Sequence, residues 1–401
     1  MLLCSFKNCT LSISKTKICY NHIHMNRILK RILWGKRRAE PLVTVRISQK
    51  NILHNLAEFQ KLSGSIAPVL KSNAYGHGLV EVANILENAS VPFFVVDSYY
   101  EAHTLRYNNI KKSLLVIGYT LTKTIDDNIF KDISFVVTSL SMLKEISELK
   151  KDIYIHLKID TGMHRQGIMP EELGEALRVL SECPNIKMEG AMTHFSDADG
   201  EDFSYTEKQI VIWNSCATKI KEVFPEISFL HISNTAGHVF INKTQCNLSR
   251  LGIGLYGLPS GGEIASHVNL KPALSMETII VGLKKISAGS HVGYSKTFTA
   301  TKDMRIAVIP LGYFEGVDRR LSNKGYVKIG EKYAKIIGRV SMNITTIDVT
   351  AIPEAGIGTK VHVVSNIPDD KNSIENLAKL CNTISYDEVV HIPEHLRRVV
   401  I

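Results

Sequence analysis

The sequence predicts an α/β chain: a (β/α)8 barrel followed by a mostly β C-terminal domain. Three observations predict it. Short apolar strands alternate with helical stretches over residues 42–270, in about eight units, the span of such a barrel. From residue 271 strand-like segments follow one another with few helices between them. The chain of 401 residues, 44% hydrophobic and 22% charged, has ample length to bury a large core. Periodicity alone leaves an open doubly wound sheet as the alternative.

The elements follow in order. LVTVRI (42–47) alternates and reads as a strand. Ser48 can cap the next helix, whose apolar positions Ile52, Leu53, Leu56 and Phe59 have helical spacing. SIAPVL is a short buried strand leading into Lys71. A helix over 80–88, the strand VPFFVV and a helix from Ser98 come next. SLLVIG, SFVVT, IYIHLKI, KMEGAMTHF and FLHIS continue the alternation. Beyond 271, LSMETIIVGLKKI, RIAVIPLGY, GYVKIG, YAKIIGRV and ITTIDV read as strands, interrupted by a helix near 373–380. The expected organisation is an extension (1–41), a barrel (42–270) and a β domain (271–401).

Charge separates the extension from the rest. The net charge is +9, but residues 1–41 hold nine Lys and Arg against one acid, Glu40, so +8 of it lies there. The body is nearly neutral, which argues against a nucleic-acid surface over most of the chain. The extension also carries Cys4, Cys9, Cys19 and His22, four zinc-type ligands in a short stretch, similar to small zinc-binding tails of some nucleic-acid proteins. Met25, Ile28, Leu29, Ile32 and Leu33 form an apolar stripe beside Arg27, Lys30, Arg31 and Lys36. That pattern fits a membrane-surface helix, a targeting segment or a nucleic-acid arm; the bland alternative is an unstructured tail or an over-long start. Seven cysteines without framework spacing fit a reducing, cytoplasmic compartment, and no apolar run is long enough to cross a membrane.

Three expected strand ends carry unusual polar groups, and barrels do their chemistry at strand ends. In VLKSNAYGHGL (69–79), Lys71 follows a buried strand and enters a Gly- and Asn-rich turn. A lysine whose pKa falls on burial offers a free amine for a Schiff base. In HLKIDTGMHRQG (156–167), alternation sets His156, Lys158 and Asp160 on one face, with Arg165 in the loop beyond. Charges there need partners, so they form either a structural ion-pair network or a site. In MTHFSDAD (192–199), His194 precedes Asp197 and Asp199, but no strong zinc spacing appears, so no metal is expected in the core.

Taken together these blocks resemble the alanine racemase family. VLKSNAYGHG is the most specific; HLKIDTGMHRQG, the THF block, HISNTAG, RLGIGLYG, VGYSKTF, PLGYFEGVDRRL, IGRVSMN and ISYDE follow in the family's order. The resemblance runs from about residue 42 to the C-terminus. It implies a pyridoxal 5′-phosphate (PLP) enzyme on a TIM barrel with a β domain, interconverting L- and D-alanine for cell-wall peptidoglycan, and acting as a homodimer with shared active sites. Lys71 corresponds to the PLP-binding lysine and one catalytic base, Tyr294 to the opposite base from the partner subunit. Arg250 matches the arginine at the pyridine nitrogen, and Arg165 the arginine near the phenolic oxygen and substrate carboxylate. Lys158 falls where many members carry a carbamylated lysine. His194 and His231 match histidines linking the tyrosine to that first arginine. Tyr75, Thr235, the backbone of Gly252 and Ile253, and Tyr386 match phosphate contacts. Met342 matches a substrate contact from the second subunit, and Asp199, Arg319 and Arg339 line the substrate's access path.

Lysine and tyrosine side chains ordinarily titrate near 10, so such bases need cationic neighbours or burial to work at neutral pH. Two bases on opposite faces allow a proton to leave one side and return on the other. An arginine rather than an acid at the pyridine nitrogen limits side reactions. The family usually has Met-Asp where this chain has Met342-Asn343. Asn keeps the shape and loses the charge, and on that basis Asn343→Asp is expected to raise turnover. The competing readings are a broad-range racemase or decarboxylase of the same fold, and a catalytically weak PLP-binding protein.

Overall fold

The computed structural model describes residues 40–401. The stretch holding Cys4, Cys9, Cys19 and His22 lies outside the described residues. Residues from Val43 to Ile401 form one compact unit. The first strand, β1 (Thr44–Ile47), leads into helix α1 (Gln49–Ser63), whose start is capped by the Ser48 hydroxyl accepting from Asn51 N–H at 3.3 Å.

Among the described residues, eight parallel strands then close a barrel: β2 (Ile66–Pro68), β3 (Phe93–Val96), β4 (Ser113–Val116), β5 (Ile133–Val137), β6 (Ile153–Lys158), β7 (Ile186–Met192), β8 (Phe229–His231) and β9 (Ser249–Leu251). Strands β3 to β8 pair in sequence order, and β9 returns to β2 with Arg250 opposite Ala67. Val69 bridges to Val95, and Arg250 N–H donates to Ser233 O at 3.2 Å, closing the two seams. The staves are buried on both faces: Phe93, Phe94, Val95 and Val96 are all in the core. The helices α2 (Leu79–Leu86), α3 (Tyr99–Tyr107), α4 (Thr122–Asp127), α5 (Leu140–Ser147), α6 (Leu173–Glu182) and α7 (Ser204–Val223) follow successive staves. The open doubly wound sheet is thereby excluded.

One strand sits elsewhere than its position in the chain suggests. β1 is not a stave. It pairs antiparallel with β10 (Leu274–Ile279) and parallel with β19 (Arg397–Val400). The eighth stave is instead β9, inside the block read from sequence only as a motif. The physical reason is burial: β1 alternates half-buried and buried residues, suiting a sheet with one wet face, whereas a barrel stave is covered on both.

The C-terminal part holds a six-stranded sheet in the order β16–β15–β18–β10–β1–β19, formed by β15 (Tyr326–Ile329), β16 (Lys332–Lys335) and β18 (Lys360–Val364) with the strands already named. A second sheet joins β11 (Gly282–Ile286), β14 (Met304–Ile309) and β17 (Thr345–Asp348). A small hairpin, β12 (His291–Val292) and β13 (Phe298–Thr299), flanks them. Two helices, α8 (Ile374–Cys381) and α9 (Ser385–Val390), complete the unit.

Candidate active site

Lys71 lies three residues beyond β2, at the C-terminal mouth of the barrel. The next four residues are unusual. Ser72, Asn73, Ala74 and Tyr75 have φ of 56°, 55°, 51° and 52°, one turn of left-handed helix. Each such L-residue costs about 1–2 kcal/mol, so the surroundings must hold the turn. Glu101 does much of this. One of its oxygens accepts from Ser72 N–H (2.6 Å) and Asn73 N–H (3.4 Å), the other from Asp97 N–H (2.8 Å) and Ser98 N–H (3.3 Å). Asn73 Oδ1 in turn accepts from Leu79 N–H at 2.8 Å at the start of α2. From β19, Arg398 donates through Nε (3.0 Å) and Nη2 (2.7 Å) to Gly76 O. The C-terminal sheet thus clamps the lysine turn.

Arg250, on β9, is buried and fully engaged at its two terminal nitrogens. Nη1 donates to His231 Nδ1 (2.7 Å) and His231 O (3.1 Å). Nη2 donates to Thr193 O (2.8 Å), Ile232 O (3.1 Å) and His194 Nδ1 (3.0 Å). This leaves Nε–H for the cavity that Arg250 lines. An arginine only donates, so both imidazoles accept at Nδ1 and carry their proton on Nε2. His231 Nε2 lies 2.8 Å from His156 Nδ1, which extends the relay one histidine further. Burial, with the Arg250 charge second, holds all three neutral: His156 falls to about 3, and His194 and His231 fall well below the usual histidine range. Burial also lowers Arg250 itself to about 10, so it stays cationic at neutral pH.

Burial first, then Arg250 and Arg165, brings the Lys158 amine down to about 8. Its nitrogen is 3.3 Å from Gln166 Oε1. Asp160 serves the loop rather than the cavity, accepting from Gly162 N–H (2.9 Å) and His164 N–H (3.0 Å).

These groups enclose a cavity of ≈ 710 Å³. Its walls include Lys71, Tyr75, Lys158, Arg165, His194, Thr235, Arg250, Gly252, Ile253 and Tyr386. At one end, Tyr75, Thr235 and Tyr386 offer hydroxyls. A Cβ on Gly252 would stand 2.8 Å from Tyr75 Oη and 3.9 Å from Thr235 Oγ1, filling this cradle. Burial pushes the Tyr75 and Tyr386 phenols up, so both keep the proton they would donate. Hydroxyls around a glycine gap suit a phosphate.

The structure does not bring every expected residue here. His231 stands behind Arg250. Tyr294 lies on the turn between β12 and β13, 70% exposed, and Met342 is 55% exposed; neither lines the cavity of its own chain. Asn343, Asp199, Arg319 and Arg339 also lie outside its lining. Conversely Asp97, Tyr119, Gln166 and Asn234 line it and were not singled out. Asp97 follows β3 directly, and the strand-end rule points to it. Asn343 Nδ2 donates to Glu315 Oε1 at 2.7 Å, so an aspartate there would meet another carboxylate.

A barrel with a lysine, an arginine and a hydroxyl cradle at its C-terminal mouth defines the class of barrel that carries a phosphorylated aldehyde cofactor on a lysine. The comparisons with known proteins narrow it. The profile of the alanine racemase N-terminal domain matches residues 47–260, and that of the alanine racemase C-terminal domain matches residues 273–400. The alanine racemase of Lactobacillus acidophilus is 36% identical over 370 residues, covering 89% of this chain and 95% of that protein. That of Methanococcus maripaludis is 35% identical over 358 residues, covering 87% and 95%. The structure of the Clostridium difficile alanine racemase superposes with a TM-score of 0.84 at 29% identity, covering 91% of this chain and 97% of that one. The Bacillus anthracis enzyme, solved with bound L-Ala-P, gives 0.83 at 29% identity, covering 91% and 96%. The chain belongs to the alanine racemase family: it is a PLP-dependent amino-acid racemase.

Proposed function

We propose that the chain interconverts L- and D-alanine by a two-base exchange between Lys71 of one subunit and Tyr294 of the partner subunit. The observation that carries this reading is the convergence of Lys71, Arg250, Arg165 and the hydroxyl cradle on one cavity. PLP, when bound, supplies the electron sink that makes the α-proton removable. Tyr75, Thr235, Tyr386 and the backbone of Gly252 and Ile253 hold its phosphate. Arg250 offers Nε–H to the ring nitrogen, and as a cation it discourages a proton there. Arg165 orients the substrate carboxylate, and Lys158 supports Arg165, with its lowered pKa favouring carbamylation. His194 passes the influence of Arg250 toward the tyrosine.

The exposed Tyr294, Tyr313, Phe314, Met342 and Ile344 support a homodimer in which Tyr294 and Met342 complete the neighbour's site. Among the described residues no helix is long and apolar enough to cross a membrane. A cytoplasmic role supplying D-alanine to peptidoglycan is part of this reading, and rescue of a D-alanine-requiring strain tests it. The enzyme itself is tested directly: purified protein is yellow, converts L-alanine to D-alanine, and loses both properties in Lys71→Ala. Colour without racemisation of any amino acid overturns the proposal.

A further inference from the structure

Two turns meet on the exposed side of the C-terminal part. Gly312 and the turn Tyr313–Glu315 follow β14, and residues 341–344 precede β17. They are laced together: Tyr313 N–H donates to Ser341 O and Phe314 N–H to Met342 O, both at 3.0 Å. A Cβ on Gly312 would stand 2.0 Å from Ser341 O, so no other residue permits this approach. Glu315 completes the lacing. Its Oε2 accepts from Gly312 N–H at 2.8 Å, and its Oε1 accepts from Asn343 Nδ2 at 2.7 Å. A carboxylate only accepts, so the amide of Asn343 must present its nitrogen.

We infer that Glu315 and Asn343 are a charge-matched positioning pair that fixes the Met342 backbone for the substrate carboxylate. This rests on the proposal that Met342 serves the neighbouring subunit's site. The pair carries one negative charge, held by two donors. A carboxylate at 343 would put two like charges in hydrogen-bond contact, and one acceptor would have no proton to accept. It would also add negative charge beside the place where the substrate's carboxylate docks. Asn at 343 is therefore required by Glu at 315, and the residue at one position sets what the other tolerates.

The full-length holoenzyme tests this in a double-mutant cycle, with KM and kcat for L-alanine read separately from pH 5 to 9. In Asn343→Asp, KM is expected to rise about tenfold or more near pH 8 while kcat stays within about threefold. The defect shrinks toward pH 5, as the crowded pair takes up a proton. Glu315→Gln can keep both bonds, with Oε1 on Gly312 N–H and Nε2 donating to a flipped Asn343, and should cost less than about threefold. The double variant keeps the bond from Gly312 N–H and restores the 315–343 bond with its direction reversed, and its KM should return to within about threefold of the parent. A parental KM in Asn343→Asp, or a double variant no better than that single one, overturns the inference. So does coupling seen in thermal stability alone. In each case the Lys71→Ala result still decides the racemase reading on its own.

Discussion

Glu101 shows how one side chain can decide the geometry of a site it never enters. Four consecutive left-handed residues after Lys71 cost about 4–8 kcal/mol together, by the usual penalty per residue. Glu101 offsets part of this by accepting from two of the turn's N–H groups, Ser72 and Asn73, while its other oxygen ties it to Asp97 and Ser98 N–H. Hydrogen bonds to a charged acceptor contribute about 1.5–3 kcal/mol each at most, and less when exposed. Glu101→Ala should therefore lower stability by about 2–3 kcal/mol and kcat/KM by more than about tenfold, since the lysine turn loses its anchor. Glu101→Gln keeps acceptors on one side only and should fall between. Urea unfolding and steady-state kinetics on the three proteins check the order; an Ala variant with parental kinetics refutes it. From sequence, a helix starting at Ser98 was legible, but the reach of Glu101 back to residue 72 was not. That contact depends on two staves lying side by side, which no local pattern encodes.

At the scale of elements, burial pattern separates what periodicity blurred. Phe93–Val96 is apolar throughout and is a stave; Thr44–Ile47 alternates and lies in the half-exposed sheet. The alternation was visible in the sequence, yet chain order suggested a first stave. The eighth, Ser249–Leu251, is three residues long and holds a buried arginine, so it gave no strand signal. Of the residues lining the cavity, Lys71, Lys158, Arg165 and His194 were legible at or near strand ends, while Arg250 and the hydroxyl cradle came from the family resemblance. What stayed hidden is the relay to His156, since its place behind His231 follows from the barrel's curvature. The segment after β9 yields its own prediction. A methyl at Gly252 would crowd Tyr75 Oη at 2.8 Å and occupy the cradle. Gly252→Ala should fold normally but raise the Kd for PLP by about tenfold or more, read by absorbance titration. Unchanged affinity would place the phosphate elsewhere.

For the whole molecule, buried histidines set the acid limit. His77 and His238 are lowered to about 4 and His156 to about 3, each chiefly by burial, and burial also holds His194 and His231 well below the usual histidine range. Above the ordinary histidine pKa of about 6.5, folded and unfolded chains are both neutral at these sites, and pH has no effect through them. Below it the unfolded chain binds protons and the folded one does not. Stability must then fall as pH falls from about 6.5 toward 3, by about 1.4 kcal/mol per pH unit for each such histidine. Melting temperatures measured from pH 8 to 4 should hold steady and then drop steeply below 6.5. The drop should be shallower in His238→Gln, which removes one of these sites. A flat profile would mean the histidines are charged in the fold.

Assembly is the other property of the whole molecule, and it can be separated from chemistry within one chain. Tyr294 is 70% exposed and outside its own chain's cavity, so the proposed two-base exchange would need a neighbour to bring it. Lys71→Ala and Tyr294→Phe homodimers should each be nearly inactive, one lacking each base. In a mixed dimer, one site has Lys71 from the Tyr294→Phe chain and Tyr294 from the Lys71→Ala chain, and is intact. The other site lacks both. Random reassortment of equal amounts makes half the dimers mixed, with one good site of two, so activity should recover to about a quarter of the parent. If Tyr294 instead served the cavity of its own chain, every mixed dimer would still pair one missing base with each site. The mixture would then be as inactive as its parts. Activity after unfolding and refolding the two variants together, against each refolded alone, decides between these arrangements.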